Sequence, residues 1–212
     1  MELATVPSQL PLGGRVSSWY NPSRWSTCWR SGVNVQSPGG PKLVPLISQQ
    51  EIAAAVQRLA GELDRDYGHG SPTVVGILRG CFIFLADLVR QMDTPLHSIE
   101  FLRLSSYGAG TVSSGRARVV MGLPPQAVAG RDVIVVEDIV DTGITTTAAL
   151  RYLGRRQPAS LRLCALLDKP SRRQVPVTID YLGFTVPDRF LVGYGTDLDQ
   201  RYRQLPAIYT LE

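Results

Sequence analysis

Residues 132–147 of this chain read DVIVVEDIVDTGITTT, and the fold can be worked out from this stretch. Residues 133–136 are β-branched and continuously apolar, and the run is too short for a helix, which predicts a strand buried on both faces of a parallel sheet. Glu137 and Asp138 follow at the carboxyl end of this strand. Because ligands of open α/β sheets bind beyond the carboxyl ends of the strands, the two acids indicate a site for a polyol or a metal ion.

A short polar loop, residues 141–145, then opens a helix. The first amides of a helix have no partner inside it and lie at its positive dipole end, so this turn is suited to binding a phosphate. Neither a GxxxxGK loop nor GxGxxG is present, so the pattern favours a phosphorylated sugar whose hydroxyls meet the acids. The alternative is that Asp141 merely caps an ordinary helix, which leaves Glu137 and Asp138 unexplained.

Five blocks of the sequence resemble, in order, the motifs of one family. VVEDIVDTG with Thr145 resembles the phosphoribosyl-pyrophosphate motif of type I phosphoribosyltransferases, in the form that hypoxanthine-guanine phosphoribosyltransferases carry. LRGC from Leu78 is similar to the family's pyrophosphate loop, and SSYG from Ser105 to its mobile catalytic loop. DKPSRR from Asp168 is similar to the purine-recognition segment, and PDRFLVGYGTDLDQRYRQLP from Pro187 to the carboxyl-terminal hood. Together the blocks span roughly residues 46–208, and five motifs in register are far more specific than one.

The resemblance implies an α/β fold with a central, mostly parallel sheet flanked by helices, a small carboxyl-terminal hood and a mobile flap over residues 105–116. Local patterns agree with this fold. Ser48 and Glu51 form a capping box where the folded part is expected to begin, ahead of a helix that ends near Gly68. A strand over 73–78, a helix over 82–92 and a strand over 98–104 make a βαβ unit. Further strands are predicted over 118–121, 161–167, 179–184 and 190–192.

Length and charge predict one enzyme domain behind a leader. The chain has 212 residues, 44% of them apolar, with no run of eighteen apolar residues that could cross a membrane. Of the net charge of +4, residues 1–45 carry +3, from four basic residues and one acid, which leaves +1 for the rest. We therefore expect a poorly structured leader over 1–45 and a phosphoribosyltransferase domain with its hood over 46–212. An organellar transit peptide and a start codon assigned too far upstream both account for the leader.

The cysteines indicate the cellular location of the protein, and the histidines show no pattern that predicts a catalytic role. Cys28, Cys81 and Cys164 are odd in number and show neither zinc nor disulfide spacing, which indicates a reducing, cytoplasmic location. His69 and His97 lie apart from each other, beside turn or strand edges. We expect both histidines to be structural or exposed and assign neither a catalytic role.

The activity implied by the resemblance is purine salvage. Hypoxanthine or guanine and phosphoribosyl pyrophosphate would be converted to IMP or GMP and pyrophosphate, with Mg2+ as cofactor. Since breaking the bond to pyrophosphate leaves an oxocarbenium-like ribose, the protein must neutralise the leaving group and position the base. The expected partners are these small molecules, without nucleic acid or membrane, and the chain is expected to form a homodimer or homotetramer, as the family usually does.

The same resemblance assigns residues to the sugar and the pyrophosphate. Glu137 and Asp138 would meet the ribose hydroxyls directly or through Mg2+, and Asp141 would act as general base towards the purine imidazole. Arg79 stands where the family usually has Lys, and the peptide bond before it can be cis in the family. The remaining residues implied to bind the ribose phosphate or pyrophosphate are Gly80, Ser106, Tyr107, Thr142, Gly143, Ile144, Thr145 and Arg203.

Base selection is implied to come from the last two blocks. Lys169 would donate to the exocyclic oxygen of a 6-oxopurine, which favours hypoxanthine and guanine over adenine. Phe190 would stack on the base, and the Leu191 backbone would contact its far edge. Asp197 is implied to be a second magnesium contact.

Two other classes of function share the fold. An RNA-binding regulator would need a basic RNA-binding face, which a domain of charge +1 hardly supplies. A non-catalytic interaction protein would have no chemical need to keep Asp141, Lys169 and Asp197 together. Both alternatives are therefore less favoured than the enzyme.

Overall fold

In the computed structural model, which describes residues 41–106 and 117–212, helices flank a central sheet. The strands are β1 (Leu43–Ile47), β2 (Thr73–Leu78), β3 (Ser98–Ser106), β4 (Ala117–Met121), β5 (Asp132–Val140), β6 (Ser160–Asp168), β7 (Tyr181–Thr185), β8 (Leu191–Val192) and β9 (Ile208–Leu211). The α-helices are α1 (Gln49–Tyr67), α2 (Phe82–Gln91) and α3 (Ile144–Gly154).

The central sheet has six strands in the order β4-β3-β2-β5-β6-β7. Strands β3, β2, β5, β6 and β7 run parallel to one another, and the pairing of β4 with β3 is antiparallel. The predicted βαβ unit is therefore present as β2-α2-β3. This architecture confirms the α/β fold with a mostly parallel sheet.

Alternating residues of the strands build a core on each side of this sheet. Val74 and Ile134 pack on the side of α1 and α2, whereas Val75 and Val135 pack on the side of α3. The run at 133–136 is fully buried, with each residue 0% exposed, so the predicted burial on both faces is confirmed.

Helix α1 begins as the sequence pattern predicts. The Glu51 N–H donates to Ser48 Oγ over 3.2 Å, and the Ser48 N–H donates to Glu51 Oε2 over 2.8 Å, which completes the capping box. The helix ends at Tyr67, one residue before the predicted end. Its buried face is formed by Ile52, Ala55, Val56, Leu59, Ala60, Leu63 and Tyr67.

A second, three-stranded antiparallel sheet, β1-β9-β8, joins the two ends of the described chain. Strand β1 begins at Leu43, ahead of Ser48, where the local pattern places the beginning of the folded part. Neither β1 nor β9 is evident from the sequence, because the exposed Pro45 interrupts the apolar pattern of β1 and its partner is at the other end of the chain. The pairing continues in a salt bridge of 3.0 Å between Lys42 Nζ and Glu212 Oε2.

Two of the sequence predictions concern residues that the structure does not describe. Residues 1–40 of the predicted leader, and most of the predicted flap including Tyr107, lie outside the described residues.

Among the described residues, no helix has both the length and the apolar character needed to span a bilayer. His69 and His97 are exposed, as expected.

Candidate active site

Three neighbouring parallel strands, β2, β5 and β6, end at the same edge of the sheet, and two adjoining cavities open there. The larger has a volume of about 490 Å³ and the smaller about 200 Å³. Asp138, Ile139 and Asp141, from the end of β5 and the turn after it, line both cavities. This is the edge where the two acids of the sequence motif predict a ligand.

The turn into α3 leaves the first amides of the helix open. Its N-cap is Gly143, which adopts a left-handed conformation with φ of 82°, and a β-carbon there would come within 2.5 Å of the Val175 carbonyl oxygen. No side chain caps this helix within the described structure, so the alternative role of Asp141 as N-cap is wrong. The Ile144 N–H makes only a long contact of 3.4 Å with Thr142 Oγ1. The helix start therefore retains unpaired donors beside the smaller cavity, as an anion site requires.

Glu137 is a buried acid held by the helix that follows it. Its side chain is 5% exposed, and the buried Thr146 hydroxyl donates to its Oε2 over 2.6 Å. Burial raises the pKa of Glu137 to about 8, while the Thr146 hydrogen bond acts in the opposite direction. Thr146 was not singled out from the sequence, because three consecutive threonines give no sign of which hydroxyl points towards the strand.

Asp138 is in close contact with the pyrophosphate loop. A β-carbon at residue 80 would overlap the Asp138 carboxylate, so a larger residue there would displace this side chain. Burial raises the pKa of Asp138 to about 6, although backbone N–H groups and the Arg203 charge favour its ionised form. The peptide bond between Leu78 and Arg79 is cis.

Two consecutive arginines surround Asp141. Arg172 Nε lies 3.0 Å from Asp141 Oδ1, and Arg172 Nη1 lies 3.5 Å from Asp188 Oδ1. Arg173 forms an ion pair with Asp168 and donates from Nε to the Asp141 backbone oxygen over 3.1 Å, which fixes the end of β5. Asp141 Oδ1 is itself buried, and its contact with Arg172 is an ion pair without hydrogen-bond geometry. Sequence reasoning missed both arginines, although DKPSRR, the motif of Lys169, contains them.

The larger cavity carries a buried cation next to an exposed ring. Lys169 is 6% exposed and lines this cavity, and it takes part in no ion pair within the described ranges. Phe190 is 52% exposed at the same cavity, and the neighbouring Leu191 is buried in β8. The three residues expected to contact a purine therefore line one cavity together with Asp141.

The loop after β8 brings a further acid and a further cation to this edge. Arg203 Nη2 lies 2.6 Å from Asp197 Oδ1, and Arg203 Nη1 donates to the Gly195 carbonyl oxygen over 2.6 Å. Asp197 lines the larger cavity together with Asp138. Among the described residues, no group of three or more acidic, histidine or cysteine side chains could surround a metal ion by itself. Protein carboxylates could thus supply only part of a cation's coordination shell here.

Comparisons with known proteins show what this chain is similar to. A family model described as a phosphoribosyl transferase domain matches residues 46–199. The chain is 44% identical over 165 residues to the hypoxanthine phosphoribosyltransferase of Salmonella typhimurium, covering 77% of this chain and 92% of that protein. It is 42% identical over 167 residues to the hypoxanthine-guanine phosphoribosyltransferase of Bacillus subtilis, covering 79% and 92%.

Solved structures are similar over the same region. A crystal structure of a hypoxanthine-guanine phosphoribosyltransferase from Bacillus anthracis matches with a TM-score of 0.76 at 38% identity, covering 82% of this chain and 100% of that one. A hypoxanthine phosphoribosyltransferase from Staphylococcus aureus matches with a TM-score of 0.75 at 39% identity, covering 80% and 91%.

Proposed function

The chain belongs to the phosphoribosyl transferase domain family, and we propose that it is a purine salvage enzyme. It converts hypoxanthine or guanine and phosphoribosyl pyrophosphate to IMP or GMP and pyrophosphate. The observation that carries this proposal is the buried Lys169, a cation without an ion pair among the described residues, in one cavity with Asp141. Because no described carboxylate pairs with it and it lines the cavity, its ammonium is available to a ligand oxygen.

The smaller cavity suits the ribose 5-phosphate. Residues 141–145 offer the open amides at the start of α3, including those of Gly143 and Ile144, and the positive end of the helix dipole. The hydroxyls of Thr142 and Thr145, which line the same cavity, add two donors. Arg79 and Gly80 line this cavity as well and are suited to receive the pyrophosphate.

The larger cavity suits the purine. Lys169 donates to an oxygen at position 6 of the base, which an amino group in that place could not accept, so 6-oxopurines are preferred over adenine. Phe190 offers an exposed ring for stacking, and the Leu191 backbone contacts the far edge of the base.

Asp141 lines both cavities and acts as the general base between them. As the ribose carbon leaves pyrophosphate and bonds to the purine nitrogen, the Asp141 carboxylate takes the imidazole proton. Its Oδ1 is in an ion pair with Arg172 but accepts no hydrogen bond from the described residues, so the carboxylate can still accept the proton. Ser106 and Tyr107 close over the site in this proposal and exclude water, which would compete for the cationic ribose.

The acids at this edge fit magnesium. Mg2+ is typically held by one or two carboxylates and by substrate oxygens, and Glu137, Asp138 and Asp197 are such donors around the two cavities. The bound ion would neutralise the charge that develops on the leaving pyrophosphate. Glu137 and Asp138 would face the ribose hydroxyls and the ion, and Asp197 would contact a second ion.

The surface and the cysteines bear on the oligomeric state of the protein and on its cellular location. We infer a homodimer or homotetramer, supported by large apolar side chains exposed on β3 and β4: Phe101 is 38%, Val120 56% and Met121 41% exposed. A cytoplasmic location is supported by Cys81 and Cys164, which are buried free thiols.

An assay of pyrophosphate release tests the activity. The protein is incubated with phosphoribosyl pyrophosphate and hypoxanthine, guanine, xanthine, adenine or uracil, with and without Mg2+. Release is expected with hypoxanthine and guanine in the presence of Mg2+. Lys169→Met should raise KM for hypoxanthine and leave KM for phosphoribosyl pyrophosphate unchanged. Release with adenine or uracil, and none with 6-oxopurines, would contradict the role of Lys169.

A further inference from the structure

The loop over residues 193–203 of the hood packs directly on the pyrophosphate loop. A β-carbon at residue 195 would overlap the carbonyl oxygen of Gly80, so the two backbones are in contact there. The Tyr194 hydroxyl donates to Asp87 Oδ2 in α2 over 2.6 Å, which ties the same loop to the helix that follows the pyrophosphate loop. The geometry of the hood can therefore reach the groups that meet pyrophosphate.

Gln200 links these two loops through its side chain. Its Oε1 accepts a hydrogen bond from Arg79 Nη1 over 2.7 Å and another from Arg203 Nη2 over 3.2 Å. The two nitrogens therefore lie within about 6 Å of each other, where like charges repel. Gln200 Oε1 is a neutral acceptor shared by both guanidinium groups, so it offsets this repulsion and leaves a net charge of +2 on the two arginines.

The two arginines differ in how they are otherwise held. Arg203 is fixed by Asp197 and by the Gly195 carbonyl oxygen in addition to Gln200. Arg79 is exposed, and Gln200 is the one side-chain partner of its guanidinium among the described residues. The contact with Gln200 therefore determines where the Arg79 charge lies.

Arg79 is also the one cation among the described residues that line the smaller cavity. The same cavity contains Asp138 and Asp141, whose carboxylates repel an anion. Binding of pyrophosphate in this cavity therefore depends strongly on the position of the Arg79 guanidinium. A group misplaced by about 1 Å can lower the reaction rate on the order of 100-fold.

We infer that Gln200 is a positioning residue that holds Arg79 in place for the pyrophosphate group, an inference that rests on the proposed function. Arg79 gives one N–H to Gln200 and keeps its other donors for the anion, which the planar guanidinium fork allows. A lysine at this position would present a point charge with no fixed plane. The Arg79–Gln200 pair therefore couples the hood to the leaving-group site.

The test is a double-mutant cycle of Gln200→Asn and Arg79→Lys. Asparagine is chosen because Gln200 has φ of 68°, a conformation that Asn tolerates, while its side chain is one methylene shorter. The control is Gln204→Asn, an exposed glutamine of the same hood segment. Binding of inorganic pyrophosphate with Mg2+ is measured by calorimetry, KM is measured for both substrates, and thermal unfolding checks the fold.

Gln200→Asn should weaken pyrophosphate binding and raise KM for phosphoribosyl pyrophosphate by about tenfold, with KM for hypoxanthine unchanged, since a hydrogen bond to a charged group is lost. In the background of the Arg79→Lys variant, the same change should have less than about a threefold effect, because a lysine has no guanidinium plane that Gln200 could hold in place. Equal effects in both backgrounds, or unchanged pyrophosphate binding, would overturn the inference. If no purine is converted but the cycle gives these results for pyrophosphate binding, the proposed function fails and the positioning of Arg79 stands.

Discussion

The hydrogen bond from Thr146 to Glu137 offers a sharp test of how the site is held. Thr146→Val replaces the hydroxyl by a methyl group of similar size, so the change creates no cavity and removes one donor. Thr146 is 2% exposed and Glu137 5% exposed, so water cannot substitute for the lost donor. A buried acceptor left without its partner costs about 1–3 kcal/mol. For a chain of this size, about 2 kcal/mol lowers Tm by about 4–8 °C.

The loss should depend on pH with a definite sign. The Thr146 hydrogen bond favours the ionised form of Glu137, so the pKa of this acid rises further without it. In the folded state the pKa of Glu137 is raised from 4.5 to about 8. Between these two pH values the folded chain keeps a proton on Glu137 that the unfolded chain releases. The contribution of Glu137 to the free energy of unfolding therefore falls as pH rises through this window. The deficit of Thr146→Val should therefore be larger at about pH 9 than at about pH 6.

Thr147→Val is the matched control one residue further along α3. The Thr147 hydroxyl is buried and has no hydrogen-bond partner among the described residues, so its removal should leave stability unchanged or slightly increased. Thermal unfolding of the two variants and the parent protein at both pH values is the assay. If Thr147→Val destabilises as much as Thr146→Val, or if Thr146→Val has no effect, the reasoning about this hydrogen bond is refuted.

Three further predictions concern the site itself. Asp141→Asn should lower kcat by about 10²- to 10⁴-fold with little change in the Kd for phosphoribosyl pyrophosphate, and unchanged turnover would remove Asp141 as base. The affinity for phosphoribosyl pyrophosphate with Mg2+ should increase with pH up to about 8, since burial keeps Glu137 protonated below that value. Calorimetry should show that Glu137→Gln loses the dependence between about pH 7 and pH 8, whereas an unaltered profile would exclude Glu137 as its source. Gly143→Ala should lower Tm and weaken phosphate binding, because φ is 82° and a β-carbon would come within 2.5 Å of the Val175 oxygen; a normal Tm and Kd would contradict this.

Most of the sheet and helices could be predicted from local sequence. Strand β2 and the βαβ unit that it begins agree with their predicted positions, and α1 begins at its predicted capping box, because each has a pattern that a few neighbouring residues complete. Strands β1 and β9 could not be predicted, since each is stabilised by pairing with a segment at the other end of the chain. The N-cap at Gly143 was also missed, and Asp141 was considered as a cap only as an alternative, because side chains alone do not reveal a left-handed backbone.

The sequence by itself determined the chemical inventory of this protein: a buried strand ending in two acids, a phosphate-ready helix start and, through five blocks, a family. Only the tertiary structure decided which groups act on one another. It joins Thr146 to Glu137, Arg172 to Asp141, and Gln200 to an arginine far away in sequence. The reason is physical, because strand and helix patterns are short-range, whereas hydrogen bonds between loops depend on how the whole sheet brings the ends of its strands together.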